Sequence, residues 1–459
     1  MNKLFTYVMA VFASLLPSFA AAQEAVGFDE RINQIFADYT GWYVSFIFAP
    51  LPGTNFSWIA LWLVVGAVVF TVYFGAIQVK GFWHSIQLFG MATKFTECTL
   101  GVKYRNEFPD GHVSGGPMYY IVKGFAERGL PLGGFMAVLF SIFTILGALG
   151  GGNMFQANQA HAQLAGVLGD YPGWITGVIL AGVTFAVIAG GLKSIARVTE
   201  KIVPFMGVFY VLVSVLILII NWDMIGWAFG QIFMGAFTGL GVVGGFTGAL
   251  IQGFRRAAFS NEAGIGSAAI AHSAVRTKEP VTEGYVALLE PFIDPVEICT
   301  MTALVIVISG VLNQDPETGL YIWNAEAGRI ATEGEVSGVA LTSAAYARAF
   351  SWFPVLLMIA VVLFAFSTMI SWSYYGLKAW TYLFGEGAVK ELIFKIIFCV
   401  FIVIGAAASL GPVIDFSDAM LFSMAIVNII ALYFLMPIVK RELNSYVARL
   451  RSGEIVKHK

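Results

Sequence analysis

Charge is what this sequence has least of. Of its 459 residues only 12% are charged, against about 25% in an ordinary soluble domain. The charges that exist are gathered into short loops. The stretches 174–192 and 202–220 contain no Asp, Glu, Lys or Arg at all. Each is long enough to cross a hydrocarbon core of about 30 Å. A soluble globule is excluded, and the lack of polar alternation within these runs excludes a membrane β-barrel. Cysteine is nearly absent. Cys98, Cys299 and Cys399 lie far apart, which rules out a disulfide framework and a metal-ligand spacing. The five histidines are equally scattered. A net charge of −2 says little about partners, and no nucleic acid is expected among them.

What is present is apolar. Apolar residues make up 58% of the chain, and 50 glycines accompany them, as expected where membrane helices approach closely. The expected fold is an all-α polytopic membrane protein with about nine spans. They fall near 58–77, 134–152, 173–192, 202–221, 230–251, 285–311, 352–375, 392–410 and 418–437. Lys3, an apolar run from Leu4 to Leu16 and Ala20-Ala21-Ala22 have the order of a secretory signal peptide over 1–22. An uncleaved anchor helix is the alternative. Either way, 23–57 is expected outside the cytoplasm and the transmembrane domain over 58–437.

Loop charge sets the expected orientation. Lys440, Arg441, Arg449, Arg451, Lys457 and Lys459 make 438–459 a basic cytoplasmic tail. Lys193, Arg197 and Lys201, and also Arg255, Arg256, Arg276 and Lys278, are expected on the same side. The acidic loop 313–338 is expected outside. Residues 82–132 hold His84, Gln87, Lys94 and Glu97 in a half-apolar stretch. They are expected to lie at the cytoplasmic interface or to dip in without crossing.

Two segments are wrong for simple lipid-facing helices. In Gly150-Gly151-Gly152-Asn153-Met154-Phe155-Gln156-Ala157-Asn158-Gln159, four amides fall within seven residues, and each needs a partner where water is absent. Asn153, Gln156 and Asn158 can hold a zwitterion without adding net charge; equally, they can fasten helix to helix. The second segment, Ser260-Asn261-Glu262-Ala263-Gly264-Ile265-Gly266-Ser267, is polar and interrupted by glycines, which predicts a helix that stops and restarts. Such a break frees carbonyls at one half-end and N–H groups at the other, suited to a cation and an anionic group. An ordinary loop capped by Ser260 or Asn261 is the alternative. Asp294 stands out among Glu290, Asp294 and Glu297 as an intramembrane carboxylate. Ser367 and Thr368 offer hydroxyls to a hard cation. Trp372 can wall a small-solute pocket or belong to an interfacial aromatic belt.

These residues resemble those of the alanine/glycine:cation symporters, the sodium:alanine carriers. The resemblance runs through Phe89-Gly90-Met91-Ala92-Thr93-Lys94-Phe95, Gly115-Gly116-Pro117-Met118-Tyr119, Gly152-Asn153-Met154, Ile202-Val203-Pro204-Phe205-Met206, Phe259-Ser260-Asn261-Glu262-Ala263-Gly264 and Trp372-Ser373-Tyr374-Tyr375-Gly376. It implies sodium-coupled symport of alanine or glycine across a bacterial inner membrane, with sodium as the coupling ion and no other cofactor. It also implies a LeuT-type inverted repeat of helices. Asn153, Gln156, Asn158, Ser260, Asn261, Gly264, Gly266 and Trp372 would face the substrate, and Ser367, Thr368 and Asp294 the cation. The family's Gly-Thr-Gly-Asn run on the first broken helix has no counterpart between Gly81 and Phe89. About one and a half helices of the first repeat are missing there. A transport-incompetent variant, or a receptor or scaffold of the same family, is therefore the alternative function. A membrane enzyme would need a nucleophile with its base, or clustered metal ligands, at depth. Neither is present in the sequence.

Overall fold

A computed structural model describes residues 28–54, 57–74, 88–109, 113–237, 253, 255–313, 323–324, 329–330 and 337–455. The expected signal peptide, the junction at residues 81–87, most of the acidic loop and the greater part of the 230–251 span lie outside the described residues.

The chain is built from helices α1 (Phe28–Ile47), α2 (Trp58–Tyr73), α3 (Leu88–Lys103), α4 (Pro117–Glu127) and α5 (Gly133–Leu149). A π-helical turn, Gly150–Met154, joins α5 to α6 (Phe155–Leu168). Then come α7 (Gly173–Ile188), α8 (Gly191–Ile220), α9 (Ile225–Phe237), α10 (Ser267–His272) and α11 (Pro280–Ala287). A second π-helical stretch, Phe292–Cys299, leads into α12 (Thr300–Ile308). The chain ends with α13 (Val339–Ala349), α14 (Phe353–Phe384), α15 (Ala388–Ala407) and α16 (Leu410–Ser452). Among the described residues the strands are two short antiparallel pairs, Asn106–Glu107 with Val113–Ser114 and Trp323–Asn324 with Arg329–Ile330.

Among the described residues, five helical stretches are long and apolar enough to cross a membrane: Gly133–Leu168, Gly191–Ile220, Pro280–Ile308, Phe353–Phe384 and Leu410–Ser452. They sort into two kinds. Helix α8 turns Phe205, Val208, Leu212 and Ile219 outward, the apolar stripe a helix shows to lipid. Helix α16 is mostly buried along its apolar stretch and forms the axis around which α1, α2, α3, α5 and α6 pack.

Contacts along α16 fix the level of every neighbour. Near its start, Asn33 Oδ1 accepts from Ser409 N–H at 2.6 Å, Tyr43 shares a hydrogen bond with Ser423 at 2.7 Å, and Phe36 meets Phe416 edge-on. Near its end, Lys440 lies over the Tyr73 ring and Lys103 donates to Glu442 at 2.8 Å. Helices α2 and α3 thus both end at the level of the tail.

The basic residues expected on one side are separated. Arg255 and Arg256 both bind the buried Asp418 near the start of α16, Arg255 at 2.9 Å. Glu279, next to Lys278, binds Arg449 near its end. Asp418 and Arg449 are roughly 45 Å apart along a helix rising 1.5 Å per residue. Residues 255–279 therefore run from one level to the other. Loop charge alone misplaced Arg255 and Arg256, because a buried carboxylate, not the side of the membrane, attracts them.

Candidate functional site

The helix over residues 255–261 stops where the glycine pattern predicts. Glu262, Gly264 and Gly266 take φ values of 56°, 85° and 92°, the left-handed region that ends helices. Gly266 has no room for a side chain either: a Cβ there would lie 2.7 Å from Pro117. The chain then restarts as α10. Asn261 and residues 264–267 are buried, so the interruption is no solvent-bathed linker.

Freed backbone groups at the break are met by side chains. The Asn261 carbonyl accepts from Lys94 Nζ at 2.6 Å. The Gly264 carbonyl accepts from Asn428 Nδ2 at 3.0 Å. Asn261 Oδ1 folds back to accept from Ala263 N–H at 2.9 Å. Glu262 accepts from Ser267 Oγ at 2.5 Å and from Trp372 Nε1 at 3.1 Å.

Trp372 joins the break to the glycine-rich turn. The three glycines of Gly150–Met154 each abut a different neighbour. A Cβ on Gly150 would lie 3.0 Å from Phe416, one on Gly151 would lie 3.1 Å from Leu421, and one on Gly152 would overlap the Trp372 side chain. Gly152 admits no side chain against α14, and an alanine at Gly150 or Gly151 would have to push Phe416 or Leu421 of α16 aside by a few tenths of an ångström. The π-helical geometry, frequent at functional sites, leaves the Gly151 carbonyl to accept from Gln156 Nε2 at 3.0 Å. Phe155 then meets Phe259 edge-to-face at 5.2 Å. Gln156, Asn261, Gly264, Gly266 and Trp372 thus belong to one neighbourhood.

The other expected site residues stand differently. Asn153 is buried and donates to the Phe398 carbonyl at 2.7 Å. Asn158 donates to the Ala408 carbonyl at 2.6 Å and caps the end of α15. Both turn toward α15, not toward the break. Ser260 is exposed and donates to Asp294, which pairs these two away from the buried part of the interruption. Ser367 donates to the Phe364 carbonyl of its own helix at 2.9 Å. Thr368 lies one helical turn before Trp372 on the same face of α14.

Sequence reasoning missed a buried polar network behind the break. Asn428, alone in an apolar stretch of α16, also donates to Glu97 Oε2 at 3.0 Å and accepts from the Tyr120 hydroxyl. Lys94 pairs with Glu290 at 2.8 Å, Glu290 approaches His272 at 3.7 Å, and His272 meets Glu283 at 2.5 Å. The available signal was Lys94 and Glu97 at i, i+3 in an otherwise apolar run, which places both on one helix face. Charges buried this deeply persist only when paired. An interrupted buried helix, tied to a second irregular helix by an indole, suits binding of a small polar solute rather than bond-breaking chemistry.

Comparison with known proteins agrees. The sodium:alanine symporter family profile matches residues 82–459. The sodium/alanine symporter AgcS of Methanococcus maripaludis is 39% identical over 367 residues, covering 80% of this chain and 76% of that protein. The probable sodium/glutamine symporter GlnT of Bacillus subtilis is 32% identical over 373 residues, covering 80% and 72%. The amino-acid carrier protein AlsT of the same organism is 29% identical over 368 residues, covering 79% and 72%. The chain belongs to the sodium:alanine symporter family and is a multi-pass membrane transporter, not an enzyme.

Proposed function

We propose that this chain symports a small neutral amino acid, alanine or glycine, with sodium, across a bacterial inner membrane with its basic tail in the cytoplasm. The observation that carries the reading is the Gly152–Trp372–Glu262 contact, which ties both irregular helices into one cradle. Substrate binds among Gln156, Asn261, Gly264, Gly266 and Trp372. Asn153 and Asn158 take the fastening role, since α15 carbonyls hold them. Sodium lies toward Ser367 and Thr368, with the Ser260–Asp294 pair as a second oxygen cluster. A LeuT-type arrangement accounts for a broken helix crossing beside two continuous ones.

The test is accumulation of radiolabelled alanine in proteoliposomes under an inward sodium gradient, with Trp372→Ala and Asn261→Ala as controls. We expect accumulation that glycine competes away and that both substitutions abolish. Equal accumulation with potassium on both sides would sink the reading. A second reading has its own support: the family match begins at residue 82, next to the place where the first-repeat Gly-Thr-Gly-Asn run has no counterpart. On that reading the chain is a non-transporting member. It binds alanine in a sodium-dependent manner, or not at all, and never accumulates it.

A further inference from the structure

Lys94 is wholly buried on α3. Its ammonium lies 2.6 Å from the Asn261 carbonyl oxygen and 2.8 Å from Glu290 Oε2. Asn261 is the last helical residue before the interruption. Its carbonyl is therefore among those a helix leaves open at its negative end. A carboxylate and a helix-end carbonyl converging on one buried positive atom form an oxygen-donor arrangement, the kind that hard cations take. Here the protein supplies the cation.

We propose that Lys94 is a tethered cation, its ammonium filling a monovalent-cation site at the carbonyl end of the interrupted helix. This deepens the symporter reading and rests on it for its meaning in transport: the sodium that drives uptake is not held by the Asn261 carbonyl and Glu290, and the coupled-ion count is lowered by the lysine. Each carboxylate around the ammonium has a further partner of its own. Glu290 shares its carboxylate with His272, which is held by Glu283. Glu97 and Glu262 lie within electrostatic reach of the ammonium, each already accepting hydrogen bonds from Asn428 or from Ser267 and Trp372. Asp294 is turned to Ser260. With Lys94 neutralised, the half-exposed Glu290 carboxylate and the buried Asn261 carbonyl would face each other uncompensated, a repulsion that a small cation relieves.

The test uses the purified full chain in detergent and compares wild type, Lys94→Gln and Lys94→Arg. Melting is followed by tryptophan fluorescence in sodium chloride and in choline chloride, with radioactive sodium binding measured by equilibrium dialysis. We expect sodium to raise the melting temperature of Lys94→Gln by about 2–4 °C over choline, beyond any effect on wild type or Lys94→Arg. That variant alone should bind additional sodium. Melting of Lys94→Gln that ignores sodium overturns the proposal. So does recovery by acidification instead of sodium, since Glu290 then takes a proton. Should Lys94→Gln not yield folded protein, Lys94→Ala extracted in sodium or ethylammonium chloride carries the test. Monodisperse protein with either cation, but not with choline, supports the proposal; aggregation in all three salts, with Lys94→Arg intact, overturns it. None of these readouts requires uptake, so a chain that fails to accumulate alanine leaves them interpretable.

Discussion

Asn428 holds the carbonyl of Gly264, in the middle of the helix interruption, at 3.0 Å through its amide nitrogen. The same nitrogen binds Glu97, and the amide oxygen takes the Tyr120 hydroxyl. Asn428→Asp keeps the size but removes both N–H donors and sets a second acid beside Glu97. We expect a loss of about 2–4 kcal/mol, read as a lower melting temperature in detergent. An unchanged melting temperature would show that the amide does not hold the break.

Gly152→Ala places a methyl into the Trp372 ring, with backbone on one side and a packed indole on the other. Overpacking of this kind costs roughly 1–3 kcal/mol. Moving the indole also strains its bond to Glu262. Alanine accumulation in proteoliposomes should be lost even where folded protein is recovered. Wild-type uptake by Gly152→Ala would remove this contact from the mechanism.

Trp372 and Glu262 should be coupled energetically. In a double-mutant cycle of Trp372→Phe and Glu262→Ala, melting measurements should give an interaction of about 0.5–1.5 kcal/mol, the range for a single hydrogen bond. Additive effects would mean that the 3.1 Å contact does not bind the two helices together.

Asn158→Ala removes the amide that caps α15 at the Ala408 carbonyl. A stability loss of about 1 kcal/mol is expected, with the alanine concentration for half-maximal uptake unchanged. A large shift in that concentration would return Asn158 to the substrate site.

At the tail, the Arg449 guanidinium, bonded to both Glu279 oxygens at 2.8 and 2.6 Å, holds that carboxyl below its usual range. A depressed carboxylate stabilises the fold at any pH above its unfolded value, about 4.3, and the contribution fades as pH falls through the lower folded value. The pair lies at the surface with each side chain about a third exposed, so the effect is small and weakened by salt. Hydrogen exchange at neutral pH should be faster over residues 273–282 in Glu279→Gln than in wild type. Equal rates would show that the pair fastens nothing.

The break was legible because its cause is local. Gly264 and Gly266 adopt backbone angles that few other residues take, and polar neighbours in an apolar setting mark the place. The partners of the break were not legible. Lys94 and Glu97 read as too polar for a confident span, and Asn261, Glu290 and Asn428, all distant in sequence, are the partners that make their burial tolerable. Asn153 and Asn158 could not be told from substrate ligands, since the carbonyls of Phe398 and Ala408 that claim them are brought near only by folding. Arg255 and Arg256 misled for a related reason: charge counting takes a basic residue as a marker of side, and Asp418 had no visible link to them.

One helix touches the interrupted segment three times. Before the gap α16 grips Arg255 and Arg256 through Asp418; within it, Gly264 through Asn428; after it, Glu279 through Arg449. A lever with a fulcrum near its middle cannot loosen both arms at once. Tilting α16 about Asn428 would pull one outer contact apart while pressing the other. Spin labels at Asp415 and Glu454, each paired with a label on the 255–279 segment, would then report separations that change in opposite directions.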